Sequence, residues 1–129
     1  MSLEAAVLGQ IRLGVGALPG VRLFRNNIGT GWVGEVRERT VGRLVILNPR
    51  PLNAGLFKGS PDLAGWTSIT ITPEHVGRKV AIFTGLEVKV PGRHATGEQL
   101  QFLQVLRNAG GLGGVVHNVP EAIAILNAR

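Results

Sequence analysis

The chain has 129 residues, 44% of them apolar, with 19 glycines, 7 prolines and no cysteine. That composition describes one globular domain of short elements and many turns, and it excludes a disordered chain, a disulfide framework and a thiolate metal centre. The formal charge of +6, from 14 Lys and Arg against 8 Asp and Glu, leaves two readings: a nucleic-acid partner, or only a soluble basic surface.

Ser2 precedes "LEAAVLGQIRLGV", where Leu3, Val7, Ile11 and Val15 recur at helical spacing, so a helix is predicted over about 3–16 with Ser2 as cap. Glu4 stands three, four and seven residues before Val7, Leu8 and Ile11. It therefore borders the apolar stripe instead of facing away from it. "GALPGVRLFRNN" turns and enters a short extended segment. "GWVGEVRERTVGRLVIL" reads as a β-hairpin with a charged tip near Arg37–Thr40. "NPRPLNAGLFKGSPD" reads as a loop, from its Pro, Gly and Asn content. "LAGWTSITIT" is a predicted strand, "PEHVGR" a turn, and "KVAIFTGLEVKV" a second strand. That strand is apolar on both faces over Val80–Phe83, which predicts a central position.

"PGRHATGEQLQFLQVLRNAGG" is a loop and then a helix over about 97–109. Thr96 is its cap, Gln99 holds the capping-box position, and Leu100, Leu103 and Leu106 form the core stripe. "LGGVVHN" is a short strand, and "VPEAIAILNAR" a last helix with Asn118 as cap and Pro120 near its start. The order αβββ(β)αβα predicts a single α/β domain over 1–129, a mixed central sheet flanked by helices. No Walker A, dinucleotide-binding or Ser–His–Asp pattern is present, and His75 and His117 lack metal-ligand spacing and read as structural.

Glu87 and Lys89 are two residues apart on a predicted strand, so they share one face, and Val88 and Val90 pack on the other. A structural ion pair is one reading. Asp62 supports a chemical one. It follows Ser60–Pro61, directly before an apolar strand. Two carboxylates at neighbouring strands make an oxygen site for Mg²⁺ or Mn²⁺, and such an ion activates water against a phosphodiester. A lysine beside it stabilises the charge that builds on the phosphate.

"KGSPDLAG" followed by "GLEVKVPGRHATGEQLQFL" resembles the PD-(D/E)xK nuclease pattern, and more closely the VRR-NUC branch, the virus-type replication-repair nucleases. The small phage and prophage members carry a similar "FRNNIG", "KGSPDL", "EVK" and helix-opening "T-x-EQ". The resemblance runs from Glu4 to the closing helix. It implies a restriction-endonuclease-like fold and a Mg²⁺- or Mn²⁺-dependent DNA endonuclease. Asp62 and Glu87 match the two acidic metal ligands, the Val88 carbonyl a backbone ligand, and Lys89 the catalytic lysine. Gln99 matches a glutamine near the active site. Glu4 matches an acid completing the metal site, and is otherwise an acid favoured by the helix dipole.

The remaining candidates keep two readings each. Arg25, Asn26 and Asn27 contact DNA or line the site, or only form a turn. Lys58 and Ser60 touch the scissile phosphate or only shape the loop. Arg93 and His94 offer a phosphate contact, and His94 as general base is the weaker reading, because the family resembled works through metal-bound water. Arg37, Arg39 and Arg43 contact the DNA backbone or make a solvated hairpin. The resemblance implies branched, Holliday-junction-like DNA as substrate, a role in DNA repair and a homodimer. A dimer fits symmetric incision, which needs two sites related by a two-fold axis. The alternative is a DNA-binding module that keeps the fold without catalysis. No apolar run is long enough to cross a membrane and the N-terminus does not read as a secretory leader. A cytoplasmic setting without a membrane partner is expected, in a bacterial host cell and with phage or prophage origin.

Overall fold

The computed structural model describes residues 2–128. Along the chain run α1 (Leu3–Gly16), β1 (Val21–Arg25), β2 (Gly29–Thr40), β3 (Arg43–Ala54), β4 (Leu63–Thr67) and a 3-10 turn at Pro73–His75. β5 (Thr84–Val88), α2 (Gly97–Asn108), β6 (Leu112–Val116) and α3 (Val119–Leu126) complete it. The closing Arg129 of the stretch read as the last helix lies outside the described residues. The fold is mixed α/β. Among the described residues the strands form three two-stranded ladders, β1–β4, β2–β3 and β5–β6, where the sequence predicts one mixed sheet. Contacts group the chain into two compact units: Leu23–Gly65, and the residues flanking it on either side.

The flanking unit holds β5–α2–β6–α3. Parallel strands need a crossover, and α2 supplies it. β5 and β6 pair in parallel from Thr84↔Leu112 to Val88↔Val116. Gly85 and Gly113 are partners in that ladder. A Cβ at Gly113 would stand 3.0 Å from Leu106 Cδ2 and 3.1 Å from Leu103 Cδ2. Glycine there lets α2 settle onto the sheet, and Leu103, Leu106 and Val116 become the buried core at 3%, 0% and 3% exposure. Leu100, predicted in the same stripe, is 49% exposed. It sits in the first turn of α2, whereas the buried pair falls on the later turns. The Trp66 ring packs 5.0 Å from Phe83 and 6.2 Å from Phe102 in tilted and edge-on geometry.

α1 forms over the predicted span, with the Ser2 hydroxyl accepting from Ala5 N at 3.1 Å. Its expected inward stripe is not buried: Leu3, Val7 and Ile11 are all exposed. The predicted strands over 63–72 and 79–90 are shorter than their patterns. Ser68–Thr72 and Lys79–Phe83 lie outside the strands, and Ile69, Ile71 and Val80 are exposed. Alternation signals an extended segment, but a ladder also needs a partner strand, which alternation does not name.

The unit Leu23–Gly65 is dominated by the antiparallel β2–β3 hairpin, whose turn is Val41–Gly42 rather than Arg37–Thr40. β3 runs on through "NPRPLNA", predicted as loop. A bulge between Val33 and Glu35 absorbs Asn48 in its left-handed conformation, φ 50°, together with Pro49. On a two-stranded ribbon proline costs no second ladder, so Pro51 pairs with Trp32.

At the start of α3 the Asn118 side chain accepts from Glu121 N at 2.9 Å. Glu121 Oε2 accepts from His117 N at 2.7 Å and lies 3.0 Å from the His117 ring nitrogen. The His117 backbone N–H first, and then its ring, hold the Glu121 carboxyl below the usual carboxylate range, against a weaker pull from desolvation.

Two outcomes follow. Leu106→Ala lowers the unfolding free energy by about 2–5 kcal/mol, a core cavity cost, while Leu100→Ala costs about 0.5 kcal/mol, as at a surface site. Urea titrations giving equal costs would contradict the packing. A carboxyl whose folded pKa is depressed contributes stability above its unfolded pKa and loses it as pH falls through the folded one. The Glu121 carboxyl resonance should therefore titrate below that of the unfolded chain, and Glu121→Gln should flatten the acid limb of stability. An ordinary midpoint would count against the His117 bonds.

Candidate active site

Side chains on β5 and its extension alternate as the pleat requires. Gly85, Glu87 and Lys89 are half-buried on the side that α2 covers. Leu86, Val88 and Val90 point the other way and are 38%, 71% and 64% exposed, which corrects the expectation that Val88 and Val90 pack. The reason is positional: α3 packs on β6 and leaves the outer face of β5 at the surface. The ladder continues past β5, with Lys89 N donating to Val116 O at 3.0 Å, so the Lys89 backbone is fixed.

Lys89 Nζ lies 3.2 Å from Glu87 Oε1, and the two side chains are 21% and 28% exposed. Gln99 Nε2 donates to the same oxygen at 2.8 Å. The other end of that amide is also engaged: Gln99 Oε1 accepts from Thr96 N at 2.8 Å, while Gln99 N donates to the Thr96 hydroxyl at 3.2 Å. Gln99 is therefore both the return arm of the α2 capping box and a hydrogen-bond donor to Glu87. Both contacts to Glu87 fall on Oε1. Oε2 takes no hydrogen bond from the described residues.

The first turn of a helix carries partial positive charge, which favours an anion held against it. A carboxylate, an ammonium and an amide thus converge at the N-terminal end of α2. They sit at the surface. The apolar cavity of the same unit, about 460 Å³, is lined by Trp66, Ile71, Val80, Phe83 and Leu106 among others, and no ionisable side chain lines it.

The other candidates distribute as follows. Asp62 belongs to the unit Leu23–Gly65, where it is exposed and its carbonyl accepts from Asn26 N at 2.8 Å. Ser60 is half-buried in that unit, and Lys58, Arg25 and Asn27 are exposed. Glu4 lies in the first turn of α1 and is exposed. Arg93 closes a turn onto Val90 O at 3.0 Å, and the neighbouring His94 is exposed. Arg43 stands 3.8 Å from Glu38 across the hairpin, an exposed pair of little energetic weight. The His75 ring accepts from Thr72 N at 3.0 Å, a turn-capping contact. Among the described residues no three His, Asp or Glu side chains gather as a group able to hold a metal ion. The sequence gives Asn26 no role apart from its neighbours, because a side chain's bonds to a distant loop leave no local pattern.

Comparison of the chain with protein-family models, with curated proteins and with solved structures returns no match.

The Gln99 geometry makes a prediction. Gln99→Ala should cost about 1 kcal/mol, the usual loss for a broken cap, and more at a pH where the carboxylate that Gln99 Nε2 donates to is charged. Gln99→Glu keeps the capping acceptor but sets a second carboxylate against Glu87, so its cost should be larger at pH 7 than at pH 4. Thermal unfolding at the two pH values checks this, and identical costs for the two variants at pH 7 would contradict the contact.

Proposed function

We propose that the chain is a metal-dependent DNA endonuclease of the VRR-NUC branch of the PD-(D/E)xK superfamily, with a restriction-endonuclease-like fold, cutting branched DNA as a homodimer. The observation that carries this reading is the Glu87 carboxylate, gripped on one oxygen by Lys89 and Gln99 and open on the other. A half-buried ion pair also gains from a further donor on its carboxylate, but here both donors fall on the same oxygen and fix the direction of the other.

The donor chemistry of Glu87 fits Mg²⁺ or Mn²⁺, hard cations that take carboxylate and carbonyl oxygens. The resemblance supplies the rest of the ligand set: Asp62, the Val88 carbonyl and Glu4. When bound, such an ion polarises the phosphodiester and acidifies its coordinated water. Lys89 holds an ammonium beside Glu87, where it stabilises negative charge growing on the phosphoryl oxygens as water adds to phosphorus and the ester oxygen departs. Gln99 keeps Glu87 in one rotamer, so that orientation is set before the substrate arrives. Arg25, Asn27, Lys58, Ser60, Arg93 and His94 are the candidates for contacts with the flanking phosphates, and the +6 charge favours that encounter.

Labelled four-way junction, flap, single-stranded and duplex DNA, each with Mg²⁺, Mn²⁺ or EDTA, test the proposal. Metal-dependent cutting, strongest on the junction, is expected. Lys89→Ala should slow it by roughly 10²-fold or more, the scale of losing one transition-state charge partner. Tight DNA binding without cutting under any metal would replace the nuclease with a binding module.

A further inference from the structure

One side chain, Asn26, bonds to three points of the loop that carries Asp62. Asn26 follows the last residue of β1, and its backbone N donates to Asp62 O at 2.8 Å. Its amide nitrogen donates twice, to Pro61 O and to Ser60 Oγ, both at 2.8 Å. Its amide oxygen accepts from Leu56 N at 2.9 Å. The Ser60 hydroxyl passes the restraint on by donating to Phe57 O at 2.7 Å. Asn26 thus grips the loop at its entry, its middle and its exit, using two donors and an acceptor that only a primary amide offers on so short a side chain.

The fit leaves no slack at the loop's entry. Gly55 has φ +83°, and a Cβ there would stand 2.7 Å from Asn27 O and 3.0 Å from Asn26 Oδ1. The loop backbone therefore presses directly onto the Asn26 segment, in a conformation that suits glycine. Asp62 itself is exposed, so its position is not set by packing. It is set by the start of β4 at Leu63, which pairs with β1, by the Asn26 backbone N on the Asp62 carbonyl, and by the Asn26 side chain on the Pro61 carbonyl just before it.

We infer that Asn26 is the positioning residue for Asp62: it fixes the carboxylate's backbone so that the acid is pre-aimed at its ligand. This rests on the nuclease reading above and adds a residue that acts without touching substrate or metal. An Asp at position 26 would keep the Leu56 bond and lose both donations. It would also set an acceptor against the Pro61 carbonyl, which has no proton to give.

The test uses the full chain with Asn26→Ala, Asn26→Asp, Asp62→Asn and the double variant Asn26→Ala/Asp62→Asn. Hydrogen exchange should show faster exchange at the Leu56 amide in Asn26→Ala and at the Ser60 amide in both Asn26 variants, with the amides around Leu103 and Leu106 unchanged. Calorimetric titration with Mn²⁺ alone should show at least about tenfold weaker binding, the scale of a lost orienting partner in a metal site. On the junction, kcat should fall on the order of 10²-fold with KM within about twofold, because only alignment is lost. In the Asp62→Asn background, Asn26→Ala should add nothing further.

A folded Asn26→Ala chain with the wild-type Mn²⁺ affinity and kcat would overturn the inference while leaving the nuclease standing, as would additive losses in the double variant. A wild-type chain that neither cuts DNA nor binds Mn²⁺ would remove the nuclease reading, and this inference with it. If Asn26→Ala does not fold, Asn26→Asp, which keeps the loop's entry bond, decides by the same readouts.

Discussion

One amide ties the architecture of the β5–α2 region to its chemistry. Gln99 closes the capping box that starts α2 and, with its other end, holds Glu87 on β5. The helix start and the carboxylate are therefore a single mechanical unit. Leu103 and Leu106, one and nearly two turns further along α2, lock that helix to the β5–β6 ladder through the space that Gly85 and Gly113 leave. Capping, core packing and the direction of one carboxylate oxygen depend on each other. Disturbing the cap should be felt at Glu87 before it is felt anywhere else in the fold.

Lys89 completes the arrangement from the strand side. Its backbone is bonded to Val116, itself one of the buried core residues, and its ammonium meets the same oxygen that Gln99 holds. Two donors on one oxygen leave an asymmetric carboxylate whose other oxygen takes no hydrogen bond among the described residues. In the other unit Asn26 treats Asp62 in a comparable way, through backbone carbonyls instead of the carboxylate. Both side-chain amides restrain position without adding charge, Gln99 at the Glu87 carboxylate and Asn26 at the Pro61 carbonyl beside Asp62.

The parts legible in the sequence were those set by local chemistry. Ser2, Thr96 and Asn118 sit where a helix needs a side-chain acceptor, and each caps one. The two-residue spacing of Glu87 and Lys89 requires a shared face on any strand, and they share it. What stayed hidden depends on partners distant in the chain. The alternation of Ile69, Ile71, Val80 and Ile82 announces extended backbone but names no neighbouring strand, and these residues lie outside the ladders. "NPRPLNA" carries every mark of a loop, yet a bulge at Asn48 lets it run as strand. The side-chain bonds of Asn26 span thirty positions or more, 30 to Leu56, 34 to Ser60 and 35 to Pro61, beyond the reach of any local motif.

The most direct test of the central claim, that the Glu87–Lys89–Gln99 cluster is a cation-binding site, is a Mn²⁺ titration followed by NMR of the Gln99 side-chain amide and the Glu87–Lys89 backbone. A substoichiometric paramagnetic ion broadens only resonances near where it sits. Selective broadening at Glu87, Val88, Lys89 and the Gln99 amide, abolished by Glu87→Gln, is the predicted result. Broadening that is absent, or spread evenly over the exposed acids and unchanged in Glu87→Gln, would contradict it and leave the cluster as a structural ion pair.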